Sequence, residues 1–100
     1  MQAKIDRLDD CTWELSGVLT IVSLSKTWQD LTKKRPTTGP WTLSCKKVEK
    51  IDSAGLAFLL DCARYAKEQN IRLVITQLPV ALKPLMQVQG IEELLQPFIQ

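Results

Sequence analysis

The feature that most constrains this chain is a change of apolar period. Between Cys11 and Ser16, the residues Cys11, Trp13 and Leu15 alternate with Thr12, Glu14 and Ser16, the period of two that a half-buried strand requires. From about Thr20 the spacing lengthens. Ile21, Leu24, Trp28 and Leu31 recur every three or four residues, with Lys26, Gln29, Asp30, Lys33 and Lys34 between them, which is the stripe of an amphipathic helix.

The same reasoning extends along the chain. Ala3 to Leu8 reads as an earlier strand joined through the Asp9-Asp10 turn, and Gly17 ends or bulges the second strand. The helix stops before Pro36, because the residue preceding a proline is pushed out of helical conformation, and Pro36 to Pro40 is a loop. Trp41 to Cys45 is predicted as a strand and Lys46 to Lys50 as a charged connection. The longest helix runs from Ser53 to about Gln69, with Leu56, Leu59, Leu60, Ala63 and Ala66 on one face, Asp61, Arg64 and Glu68 on another, and Phe58, Cys62 and Tyr65 at the border. Asn70 closes it, and Ile71 to Thr76, rich in β-branched residues, is the next strand. Pro79 marks a break, Val80 to Val88 a short helix, Gly90 its stop, and Ile91 to Leu95 a last helical turn before Pro97. The expected order is ββαβαβαα: an α/β fold with a small mixed sheet of about four strands covered by helices, in one domain over residues 1–100.

Composition removes whole classes of function. The chain has no histidine, so Ser-His and Cys-His catalysis and His-ligated zinc are excluded within it. Its formal charge of +2 is too small to dominate binding to a phosphate backbone or anionic lipid, and no nucleic-acid partner is expected. Cys11, Cys45 and Cys62 are odd in number and lack CxxC spacing, which reads as free thiols rather than a disulfide frame or metal cluster. The longest uncharged run, Leu15 to Ser25, has eleven residues, about half of what a bilayer-spanning helix needs. The first ten residues carry Lys4, Asp6, Arg7, Asp9 and Asp10 in place of an apolar stretch, so a cytoplasmic location without membrane insertion is expected.

Three motifs bear on chemistry. Ser23 to Lys26 and Ser44 to Lys47 fit the SxxK pattern of serine acyl-enzymes, but the SDN and KTG partners are missing. Lys33, Lys34 and Arg35 form a basic run where the helix dipole already favours cations, which makes a solvated helix end the simpler reading. Glycines stand at 17, 39, 55 and 90 without forming a phosphate loop, so no nucleotide or other cofactor is expected. The third motif, Ile51-Asp52-Ser53-Ala54-Gly55-Leu56, places Ser53 at the predicted N-cap of the longest helix. The small residues Ala54 and Gly55 in the first turn leave backbone accessible to another molecule, and the free amides there suit an anion, although Asp52 would repel one. A docking tip and a phosphorylation switch at Ser53 both follow from this arrangement.

The stretch from Asp52 to Leu60, D-S-A-G-L-A-F-L-L, resembles the D-[ST]-x-G-[LM] signature of STAS domains. That family contains anti-sigma-factor antagonists and transporter regulatory domains. The order of elements fits along essentially the whole chain, including Leu15 to Thr20 before the first helix and Val88 to Ile91 near the end. The antagonist branch usually has G-x-L-D at the end of the second strand, whereas here Gly17-Val18-Leu19 is followed by Thr20. The likeness is greater to the MlaB-type branch, small stand-alone STAS proteins with a tryptophan in the first helix, matched by Trp28. This resemblance implies a non-catalytic subunit, without cofactor or metal, that binds an MlaF-like ABC transporter ATPase and through it the permease and MCE-type subunits. Partner contacts are then expected from Asp52, Ser53, Ala54, Gly55, Ala57, Asp61 and Trp28. The rival implication is an anti-sigma-factor antagonist switched by phosphorylation of Ser53.

Overall fold

The fold was taken from a computed structural model that describes residues 2–100. Four strands, β1 (Lys4–Arg7), β2 (Thr12–Leu19), β3 (Trp41–Ile51) and β4 (Leu73–Thr76), form one sheet in the order β1-β2-β3-β4. β1 pairs antiparallel with β2, and β2, β3 and β4 run parallel. The helices α1 (Ile21–Lys33) and α2 (Ser53–Glu68) make the parallel crossovers, and α3 (Leu82–Gln89), α4 (Glu92–Leu95) and a 3₁₀ turn at Gln96–Phe98 follow. This is the mixed α/β order read from the sequence.

Bulges set the length of the two central strands. Of the two expectations for Gly17 the bulge holds, with β2 continuing to Leu19, and β3 continues through the lysine-rich segment to Ile51 instead of stopping at Cys45. Two register shifts, between Glu14 and Ser16 and between Gly17 and Val18, let the strands stay paired while β3 contributes extra residues. Such bulges break the period of two, so the sequence pattern fades where the ladder persists. Gly17 takes a φ of +87° at the second shift, a conformation open to glycine at little cost.

The sheet buries one face. Trp13, Leu15 and Leu19 of β2, Trp41, Leu43 and Cys45 of β3, and Leu73 and Ile75 of β4 are buried, while Thr12, Glu14, Ser16, Thr42, Ser44 and Thr76 between them are half-exposed. α2 supplies Leu56, Phe58, Leu59, Cys62 and Ala66, all fully enclosed. Phe58 and Cys62 therefore belong to the core and not to its border, whereas Leu60 is only partly covered. Burying Leu56, Phe58 and Leu59 contributes roughly 1.5–3 kcal/mol each before ordering entropy, which fixes the rotation of α2 on the sheet. At the sheet's lower end Trp41 is flanked edge-on by Trp13 (centroids 6.4 Å) and Tyr65 (6.3 Å). Asn70 closes the second helix region at a φ of 56°, and Gly90 caps α3 at 66°. Among the described residues no helix is long and apolar enough to cross a membrane.

Candidate functional site

The parallel strands β2 and β3 end side by side, so α1 and α2 begin side by side. At that end the cap of α2 is Asp52, not Ser53. Asp52 is extended (φ −126°, ψ −165°) and its Oδ1 accepts the Ala54 amide at 2.8 Å. Ser53 is the first helical residue and is exposed. The choice between two adjacent capping residues is made by a contact 31 positions away: Asp52 Oδ2 also accepts the Ile21 amide of α1, at 3.2 Å. One carboxylate thus meets the first-turn donors of two helices, groups that have no partner inside their own helix.

Gly55 also corrects the sequence reading. It is buried, and a Cβ added there would collide with Ile51 Cγ1 and stand 2.6 Å from the Leu19 carbonyl oxygen. Its small size lets α2 sit directly on the strand ends; it does not expose backbone to another molecule. The accessible part of the motif consists of Ser53, exposed, Ala54, half-buried, and Ala57, exposed one turn later.

α1 and α2 then run alongside each other as a seam. Trp28 stacks edge-on against Phe58 with ring centroids 5.1 Å apart at 87°. Trp28 is half-buried, which joins its two sequence readings: one edge packs on the core and the other faces out. Above it lies an open groove of about 420 Å³ lined by Ile21, Leu24, Ser25, Trp28, Ala54 and Ala57. Ile21 and its neighbour Val22 are 68% and 69% exposed. For Ile21 this differs from expectation: the helical stripe assigned it to the core with Leu24 and Leu31, yet Ser23 and Thr27 are the buried residues beside those leucines. Their hydroxyls are satisfied locally, Ser23 Oγ donating to the Val18 carbonyl and Thr27 Oγ1 to the Ser23 carbonyl at 3.0 Å. A signal did exist, since Val22 lies off the stripe that Leu24 and Leu31 define and has no apolar reason to be there.

Asp61 lies at the other end of the seam. Its Oδ2 is 2.8 Å from Arg35 Nη1 and its Oδ1 meets Arg64. Arg35 covers the Tyr65 ring at 4.2 Å, and Tyr65 donates to the Pro36 carbonyl at 2.7 Å. Burial raises the Asp61 carboxyl, but the hydrogen bonds and charges of Arg64 and Arg35 outweigh it and hold the group below the ordinary carboxylate value. Arg35, read as part of a basic run, is thereby a nearly buried anchor with 10% side-chain exposure.

The remaining candidates resolve simply. Ser23 is a buried helix-entry residue whose oxygen also accepts the Thr20 amide at 3.1 Å, a role that occupies the hydroxyl of the first SxxK pattern. Cys45 and Cys62 are enclosed, and burial pushes each thiol up to about 12, so neither is a ready nucleophile; Cys11 is exposed. The site is therefore a largely apolar groove with Ser25 exposed in its lining and Ser53 exposed next to Ala54 in sequence.

Comparison with known proteins agrees with this architecture. No curated protein gives a significant match. A family model described as "Mlab, STAS domain" matches residues 5–97. With its mixed sheet, its crossover helices and the Asp52-Ser53-Ala54-Gly55 entry to α2, the chain belongs to the MlaB-type STAS domain family.

Proposed function

We propose that this chain is a non-catalytic regulatory subunit that docks on the ATPase of an ABC-type intermembrane phospholipid transporter, on the cytoplasmic side of the inner membrane. The observation that carries the reading is the groove between α1 and α2, walled by Ile21, Trp28, Ala54 and Ala57, with Ile21 and its neighbour Val22 two-thirds exposed and Ser53 exposed next to Ala54 in sequence. Exposed apolar side chains gathered at one spot mark a contact surface, because leaving them in water forfeits roughly 25 cal/mol per Å². Membership of the MlaB-type family supports an ABC transporter ATPase as the partner. Apolar side chains from a helix of the ATPase fill the groove, with Ser53 and Ala57 at the edge where backbones approach. Docking then favours the competent ATPase conformation by differential affinity.

Co-expression with the Mla-type ATPase of the same cell tests this. The unmodified chain should co-purify with it, and Ala57→Arg or Ser53→Arg should abolish co-purification while circular dichroism of the isolated domain is unchanged. An intact complex with both variants overturns the reading.

A second reading draws on one observation, the exposure of Ser53 at the first position of a helix. A phosphoryl group there would face free first-turn amides and eject an apolar partner. Intact mass after incubation with an anti-sigma kinase and ATP distinguishes it: a gain of one phosphoryl group, absent in Ser53→Ala, supports the switch.

A further inference from the structure

Asp52 was grouped with the residues that touch a partner, yet both of its carboxylate oxygens are engaged within the chain. Oδ1 holds the amide of Ala54 and Oδ2 holds the amide of Ile21. These are the residues that form the upper walls of the groove, one on each helix. The Asp52 backbone amide in turn donates to the Leu19 carbonyl at 3.2 Å, the last residue before the turn into α1. Two helix N-termini side by side bring together two sets of unpaired donors and two positive dipole ends. A single carboxylate placed between them satisfies one donor of each and offsets both dipoles.

From this we infer that Asp52 is a positioning residue for docking: it fixes the spacing of the groove walls and makes no direct contact with the partner. The inference rests on the docking reading above, and it separates Asp52 from Ser53 and Ala57, which do make contact. Nothing else in the described residues ties the Ile21 amide to α2. The lower seam has its own tie in the Arg35–Asp61 pair. The seam is thus tied at both ends, and the groove's shape exists before any partner arrives, which lowers the ordering cost of binding.

Asp52→Asn is the discriminating variant. Asparagine caps a helix as well as aspartate does, so the domain stays folded, but its side chain has one acceptor oxygen in place of two. One of the two amides must lose its acceptor, and the longer bond, to Ile21, is the one expected to go. Hydrogen exchange of the free domain should show a faster Ile21 amide and an unchanged Ala54 amide, and Asp52→Ala should release both. Affinity for the ATPase should fall about tenfold in Asp52→Asn, the equivalent of one hydrogen bond to a charged group. The dependence of that affinity on salt should stay as in the unmodified chain. A shallower salt dependence overturns the inference, because it means an ion pair with the partner was lost. Unchanged exchange at both amides overturns it as well. Absence of binding by the unmodified chain overturns the docking reading, and the exchange data, which need no partner, keep the two failures apart.

Discussion

The two ends of the α1–α2 seam, the lower one including the residues just after α1, use their polar groups in opposite ways. At the lower end Arg35, Asp61, Arg64 and Tyr65 direct their polar groups to one another, to Glu68 and to the Pro36 carbonyl. At the upper end one carboxylate takes a backbone donor from each helix, and the aliphatic side chains of Ile21, Val22, Ala54 and Ala57 face outward with the hydroxyl residues Ser25 and Ser53. The lower end gains its stability from within the chain. The upper end leaves apolar area in water that only another molecule can cover. An internally saturated region holds a domain together, and an unsaturated one marks where it is meant to be held by something else.

The sharpest way to break this contrast is Arg35→Ala. It strips the less exposed of two cations from a carboxylate with 19% side-chain exposure, leaving Arg64, and uncovers Tyr65. Loss of about 2–4 kcal/mol is expected, somewhat under the range for a fully buried pair, read as a lower urea midpoint with an unchanged slope. Docking should survive at concentrations where the variant is folded. At the upper end Gly55→Ala should cost about 1–3 kcal/mol by overpacking against Ile51 and Leu19. It is also expected to weaken ATPase binding, because α2 must shift.

Titration sharpens the comparison further. The Asp61 carboxyl is held below its ordinary value, so its contribution is fully present above the unfolded-state pKa of about 3.9 and disappears as pH falls through the lower folded-state value. Urea unfolding followed from neutral pH downward should show stability dropping below about pH 4, and Asp61→Asn should flatten that drop. The smallest effect belongs to the open surface itself. Ala57→Arg should alter the stability of the free domain by no more than about 0.5 kcal/mol, although it removes the partner. Thiol labelling gives a check on the core: Cys11 should react with a disulfide reagent in the folded protein, and Cys45 and Cys62 only after denaturation.

Much of this fold was legible because its signals are local. The alternation from Cys11 to Ser16, the proline stop after α1, the leucine stripe of α2 and the Gly90 cap each lie within one element. What was not legible depends on residues far apart. The lysines of β3 conceal a strand whose ladder is kept by bulges against β2. Asp52 and Ser53 are equally good caps on paper, and an amide 31 positions earlier decides between them. Gly55 invited an accessible-backbone reading when its neighbours across the fold, Ile51 and Leu19, were not in view. The resemblance of Asp52 to Leu60 to a known signature pointed to the α2 wall of the groove, but the exposure of Ile21 and Val22 on α1 was not legible. Helical spacing names a stripe without saying which flank of it lies outside.

Gly17 carries one further consequence. Its backbone lies in the left-handed region, and any Cβ there would run into the carbonyl oxygen of Gln2, where the incoming chain passes overhead. Two independent prohibitions fall on a single position, so relief of one leaves the other in force. Asparagine, which tolerates the dihedral, still has no room, and retreat of the first residues to make room still leaves alanine strained. Of the twenty coded side chains, this spot admits the one that is a hydrogen atom.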